Sequence, residues 1–120
     1  ISKERNMNNK AGYTKSTVLA ETFEPFMIGE KQAGEVHWLT QTNSSGEPSY
    51  SGLWRCEPMT FEYEFPGDET FQVLQGSLLI QLDDHDVNLQ AGDIVSFNKG
   101  MKSTWTINSP FEKFFVIYNC

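Results

Sequence analysis

The chain has 120 residues, of which 38% are hydrophobic and 13% aromatic. This composition suits one domain with one hydrophobic core and is too apolar for a disordered chain. Its formal net charge of −7 at pH 7 argues against a nucleic-acid backbone or an anionic membrane surface as a partner. No apolar run approaches the roughly 20 residues that cross a bilayer.

The cysteines and the N-terminal segment indicate the compartment. Cys56 and Cys120 are the two cysteines, and two thiols without regular spacing do not form the disulfide framework of small secreted domains. Residues 1–15 are polar and rich in charges and amides, without the apolar centre of a signal peptide. We therefore expect a cytoplasmic protein with free thiols, in which residues 1–15 form a flexible arm and residues 16–120 one domain.

Most of the remaining chain has the pattern of short strands separated by turns. The first such segment, EVHWLTQT, is rich in β-branched and aromatic side chains and ends in a loop, NSSGEPS. No segment has a helical period. Further predicted strands lie at residues 50–57, 60–65, 69–75, 76–82, 87–89, 94–97, 103–108 and 113–119. Many short strands of this kind predict a β-sandwich or a β-barrel.

The segment TFEYEF alternates strictly between aromatic and charged side chains. Phe61, Tyr63 and Phe65 share one face of the predicted strand, and Glu62 and Glu64 share the other. A strand with this alternation usually buries its aromatic face and exposes its charged face to water. The pattern by itself therefore favours solvent-exposed glutamates.

Two short motifs, in order, resemble those of the cupin superfamily. Glu69, followed after six residues by Gly76, matches the end of the first cupin motif. Gly92 and the strand IVSF, followed by Gly100, resemble the second motif, although Asn98 stands where proline is usual.

The longer match is to a single-domain cupin subgroup related to ureidoglycine aminohydrolase, and it covers about residues 35–118. This resemblance implies an all-β fold, a small antiparallel jelly-roll barrel that is open at one end to a pocket. It does not fix the function, because cupins host many chemistries.

The resemblance raises the question of a metal. In metal-binding cupins the first motif has two histidines, one residue apart, three or four residues before the motif glutamate. Counting back four residues from Glu69 puts Glu62 and Glu64 at those positions, and three inward carboxylates would then need a divalent cation such as manganese, magnesium or calcium. Counting back three puts Tyr63 and Phe65 there and leaves Glu69 alone. Both alternatives are open in the sequence.

The other motif positions favour an absence of metal. Ser103 stands where the second motif often has a histidine. The two histidines of the chain, His37 and His85, lie outside both motifs. We therefore expect no tightly bound transition metal and no cofactor beyond, at most, a weakly held divalent ion.

Strand alternation groups several aromatic side chains with Glu69 on the expected inner surface, with Lys102 at the rim of the pocket. This surface would suit a small, partly apolar ligand with one polar or cationic group. The alternative is that the aromatic side chains fill a small barrel with little free interior. The candidate ligand-binding residues are Trp54, Tyr63, Glu69, Phe71, Lys102, Ser103, Trp105 and Tyr118.

Three classes of function follow. A metal-free cupin that binds a small molecule is favoured, because the metal-ligand set is broken while the barrel motifs remain. The second is an enzyme of the ureidoglycine aminohydrolase or isomerase type, acting on a small polar metabolite with Glu69 as catalytic acid or base. The third is a structural domain that binds a protein partner. We also expect a homodimer, because edge strands must be covered and the resemblance implies packing of N-terminal strands across a two-fold axis.

Overall fold

The computed structural model describes residues 12–120, so most of the predicted arm at residues 1–15 lies outside the described residues. In this part of the chain the regular structure is entirely β, and no helix there is long and apolar enough to cross a membrane. The strands are β1 (Glu24–Ile28), β2 (Lys31–Thr42), β3 (Pro48–Cys56), β4 (Thr60–Glu64), β5 (Asp68–Gln75), β6 (Ser77–Gln81), β7 (Asp86–Gln90), β8 (Ile94–Phe97), β9 (Lys102–Ile107) and β10 (Phe111–Tyr118).

The strands form two antiparallel sheets. The larger sheet has the order β1-β2-β3-β10-β5-β8, and the smaller has the order β4-β9-β6-β7. Consecutive strands β4 and β5 lie in different sheets, and β10 inserts between β3 and β5, so the chain repeatedly crosses from one sheet to the other. This is the predicted all-β jelly-roll architecture.

The core lies between the inner faces of the two sheets. Each sheet contributes alternate residues, as strand geometry requires: β5 buries Phe71 and Val73, and β9 buries Trp105 and Ile107. Trp105 is 1% exposed, and its ring lies among several aromatic side chains of this core. Aromatic rings within 6.2 Å of it belong to Trp54, Phe61, Tyr63, Phe65 and Phe71.

All nine strands predicted from the sequence occur, with small differences at their ends. The sequence did not predict β1, and β2 begins at Lys31, four residues before the predicted start. Pro25 lies within β1 and lacks the N–H that a central strand needs. The fold accommodates it because β1 is an edge strand, whose pairing with β2 shifts between Pro25 and Met27.

Candidate functional site

Glu69 lies inside the protein, on the inner face of β5. Its side chain is fully buried, on the same face as Phe71 and Val73. Glu62 and Glu64, in contrast, are exposed on the outer face of β4. Of the two sequence alternatives, the one that turns all three glutamates inward is therefore wrong, since the aromatic residues of β4 occupy its inner face.

Glu69 is held by a lysine that the sequence analysis did not identify. The Lys113 Nζ donates a hydrogen bond to Glu69 Oε2 over 2.6 Å, and both side chains are buried. Burial lowers the pKa of Lys113, and the adjacent Glu69 carboxylate partly opposes this change. A lysine in the last strand thus provides the positive partner for the motif glutamate.

The position of Lys113 was recognisable from strand alternation. Lys113 shares its face of β10 with Phe111, Phe115 and Ile117, all of which are buried. The expected rim residue, Lys102, is exposed and pairs in the β4–β9 ladder with Glu64. The alternation of Lys113 with apolar residues in the last strand therefore indicated an inward-facing lysine, whereas Lys102 is not one.

The second oxygen of Glu69 accepts a hydrogen bond from a phenol. Tyr63 Oη donates to Glu69 Oε1 over 3.1 Å. Burial, reinforced by the charge of Glu69 and this hydrogen bond, raises the pKa of Tyr63 well above its usual range. Each carboxylate oxygen thus has its own donor, and Tyr63 remains a neutral phenol at every physiological pH.

Ser103 supports this arrangement from the neighbouring strand. Its Oγ donates to the backbone carbonyl of Tyr63 over 2.7 Å and accepts a hydrogen bond from Trp105 Nε1 over 2.9 Å. Ser103 makes both hydrogen bonds to groups of the protein itself, and it thereby fixes the positions of Tyr63 and Trp105.

Aromatic rings surround the Lys113 ammonium. Cations are attracted to ring faces at such distances, and more strongly when water is excluded. These cation–π contacts therefore offset part of the free energy that it costs to bury the ammonium. The Nζ lies 4.3 Å from the ring centroid of Phe71, 4.5 Å from Trp105, 5.1 Å from Trp54 and 5.5 Å from Phe115.

A small cavity borders these groups. Its volume is about 40 Å³, which holds about three water molecules or a ligand of a few non-hydrogen atoms. Glu69, Lys113 and Tyr63 provide its polar groups, and the rest of the lining is apolar. The apolar lining residues are Phe26, Val36, Trp38, Trp54, Phe61, Trp105, Phe115 and Ile117.

The eight candidate ligand-binding residues therefore divide into three groups. Four of them line the cavity: Trp54, Tyr63, Glu69 and Trp105. Phe71 and Ser103 are buried beside it and contact lining residues. Lys102 and Tyr118 are exposed and lie away from the cavity.

The residues around Glu69 do not fit a tightly held divalent metal. Both oxygens of its carboxylate are already engaged, by an ammonium and by a phenol. Within residues 12–120, no three His, Cys, Asp or Glu side chains are grouped as metal ligands. His37 contacts Ser16 and the carbonyl of Thr22, and His85 contacts Asp84.

Comparison with known proteins identifies a family of related sequences. Residues 43–115, more than half of the chain, match the family model of the EutQ-like cupin domain. No curated protein matches the chain.

Solved structures share the fold. A DUF861 family protein from Thermotoga maritima is 25% identical, with a TM-score of 0.55 over 57% of this chain and 78% of that chain. The EutQ protein of Clostridium difficile is 22% identical, with a TM-score of 0.61 over 72% of this chain. This chain spans 62% of that EutQ protein. A cupin superfamily protein from Desulfitobacterium hafniense is 18% identical, with a TM-score of 0.61 over 79% of this chain and 84% of that chain.

Proposed function

This chain belongs to the family of EutQ-like cupin domains, and from that premise we propose that it binds a small molecule without a tightly held metal. The ligand occupies the cavity beside Glu69, Lys113 and Tyr63. The observation that carries this proposal is a buried ion pair, 2.6 Å long, that borders a cavity with otherwise apolar walls.

Stability alone does not account for this ion pair. Two buried charges lose their hydration, and well-packed apolar side chains of similar volume often give an equally stable or more stable core. Groups that combine burial with a specific charged partner beside a cavity are, in contrast, typical of binding and catalytic sites. The pair of Glu69 and Lys113 has this combination.

The cavity specifies the kind of ligand. At about 40 Å³, it admits only a few non-hydrogen atoms. The aromatic walls favour an apolar portion. The ammonium of Lys113 has three N–H groups, and those not donated to Glu69 can donate to one polar acceptor atom of the ligand. We therefore expect a compact ligand with one polar end and one apolar end.

Lys113 also takes the place that a metal cation would have in balancing the charge of Glu69. In a metal-binding site a cation offsets the charge of the ligating carboxylates. Here the ammonium supplies one positive charge beside the single inward carboxylate, and the aromatic rings of Phe71 and Trp105 stabilise it further. The charge of the site is balanced by the chain itself.

A thermal-shift screen against metabolites of two to six non-hydrogen atoms tests ligand binding. A ligand present at 100 times its Kd raises the free energy of unfolding by about 2.7 kcal/mol and so raises the Tm. We expect Tyr63→Phe to weaken the binding of any such ligand, because it removes the hydrogen bond that positions Glu69, the partner of Lys113, with little change in shape. Glu62→Gln, on the outer face of β4, is the matched control and leaves binding unchanged. A screen in which no compound raises the Tm contradicts the proposal.

Elemental analysis of protein purified without chelator tests whether the protein holds a tightly bound metal. We expect much less than one transition-metal ion per chain, because Glu69 has no free oxygen and no neighbouring metal ligand among the described residues. One manganese, iron, nickel or zinc per chain would contradict the proposal and favour the metal-dependent enzyme.

A further inference from the structure

We propose that Lys113 is a nucleophilic amine that binds small aldehydes or ketones covalently, as an imine, in the cavity beside Glu69. This inference rests on the proposed function, since it uses the same cavity, and it names the chemical class of the ligand and the bond that holds it.

The geometry brings the three groups of this chemistry together. Lys113 lines the cavity, so a carbonyl compound bound there lies beside this side chain. Glu69 Oε2 lies 2.6 Å from Nζ and can accept and return a proton. Tyr63 also lines the cavity, and its phenol donates to Glu69 Oε1, which holds the carboxylate in place beside Nζ. An amine, a proton carrier and the phenol that positions the proton carrier therefore border one small volume.

The surroundings of Lys113 favour its neutral form more than those of a surface lysine. Only the neutral amine is a nucleophile, and removal of water disfavours the ammonium. Burial lowers the pKa of Lys113, although Glu69 opposes this. Transfer of one proton from Nζ to Glu69 Oε2 converts the ion pair into an amine and a carboxylic acid without leaving a charge.

The reaction balances with water as its one by-product. The lone pair of Nζ forms a bond to the carbonyl carbon, and the electron pair of the C=O π bond moves to oxygen, which takes the proton held by Glu69. The Glu69 carboxylate then removes one proton from nitrogen and returns it to the hydroxyl group. That group leaves as water while nitrogen forms the C=N bond. Nothing is oxidised or reduced.

The product keeps the electrostatics of the site. The reaction begins with an ammonium and a carboxylate and ends with a protonated imine and a carboxylate. The new cation remains beside Glu69 and among the rings of Phe71, Trp105 and Trp54, at the place where the ammonium stood. The arrangement that stabilises Lys113 therefore also stabilises the adduct.

Reductive trapping tests the proposal. Folded protein at pH 7 is treated with propanal and cyanoborohydride, which reduces an imine to a stable secondary amine, and peptide mass spectrometry locates the alkylated lysines. We expect Lys113 to be alkylated at least ten times faster than the exposed Lys31, Lys99 and Lys102. Benzaldehyde, whose ring exceeds the cavity, should not show this preference. Alkylation of the exposed lysines while Lys113 stays unmodified would overturn the proposal.

Two variants serve as controls. Lys102→Met removes an exposed lysine and should leave the fast reaction intact. Lys113→Met should remove the fast reaction; if this variant does not fold, the site-by-site rates in the unaltered protein decide the question alone. Propanal that raises the Tm without trapping at Lys113 would overturn the imine and leave the proposed function standing. If no metabolite in the screen raises the Tm and Lys113 is not trapped, both the proposed function and the imine are overturned.

Discussion

Lys113 and Glu69 form an ion pair although the strand ladder does not place them opposite each other. In the pairing of β10 with β5, Glu69 lies opposite Ile117 and Lys113 lies opposite Val73. The rings of Phe115 and Phe71 form the pair of residues between them. The lysine therefore extends along the inner face of the sheet and over these rings to reach the carboxylate, which explains why its ammonium lies 4.3 Å from the Phe71 ring centroid.

The ion pair makes the two residues energetically coupled. Glu69→Gln leaves a buried ammonium without its charged partner, and Lys113→Met leaves a buried carboxylate with Tyr63 alone. Each single variant should lower the free energy of unfolding by about 3–5 kcal/mol. The double variant should be at least as stable as either single variant, because it leaves no unpaired charge. Denaturant unfolding of the three variants measures this coupling.

Glu62→Gln is the matched control for that cycle. It changes an exposed glutamate on the neighbouring strand, so it should alter the free energy of unfolding by no more than about 0.5 kcal/mol. If the losses of the two single variants simply add in the double variant, Glu69 and Lys113 do not stabilise each other.

The two cysteines should differ sharply in reactivity. Cys56 is 4% exposed, and burial together with the charge of Glu57 raises its pKa to about 11. At pH 8 only about one thousandth of it is thiolate, the reactive form. Cys120 is exposed. Titration with a thiol reagent at pH 8 should therefore detect one fast thiol in the folded protein and two in denaturant, and Cys120→Ser should remove the fast one. Two fast thiols in the folded protein would contradict this.

The two motif glycines should respond differently to alanine. Both have positive φ, 83° at Gly76 and 98° at Gly92, so each substitution carries a backbone cost of about 1–2 kcal/mol. A Cβ at Gly76 would also collide with the carbonyl oxygen of Pro110, whereas a Cβ at Gly92 has nothing within 4 Å. Gly76→Ala should therefore lose clearly more stability in thermal unfolding than Gly92→Ala. Equal losses would show that the collision is relieved without cost.

The homodimer remains a prediction. The edge strand β1 and exposed apolar side chains such as Leu19, 80% exposed, and Val18, 57% exposed, favour a surface that a second copy covers. Light scattering at micromolar concentration should give twice the mass of one chain. Leu19→Asp should shift the population towards monomer, and a monomeric unaltered protein would count against the prediction.

The sequence determined the strands and their faces. Side chains alternate with a period of two, and a half-buried strand must put its apolar set inward, so the local pattern is enough to orient a strand. This rule placed Phe61 and Phe65 inside and Glu62 and Glu64 outside, and it placed Glu69 with Phe71 and Val73. The same rule, applied to β10, would also have placed Lys113 inside.

The partner of Glu69 was decided by the tertiary structure. Alternation tells which residues face inward but not which strands are neighbours, and the order β3-β10-β5 places a lysine from the end of the chain beside a glutamate 44 residues earlier. The cavity was decided in the same way, because its volume depends on how side chains from both sheets pack together. Whether Glu69 stood with Glu62 and Glu64 or alone was open in the sequence. The orientation of β4 resolved it, because Glu62 and Glu64 are exposed, and the packing of β10 against β5 added the ammonium of Lys113.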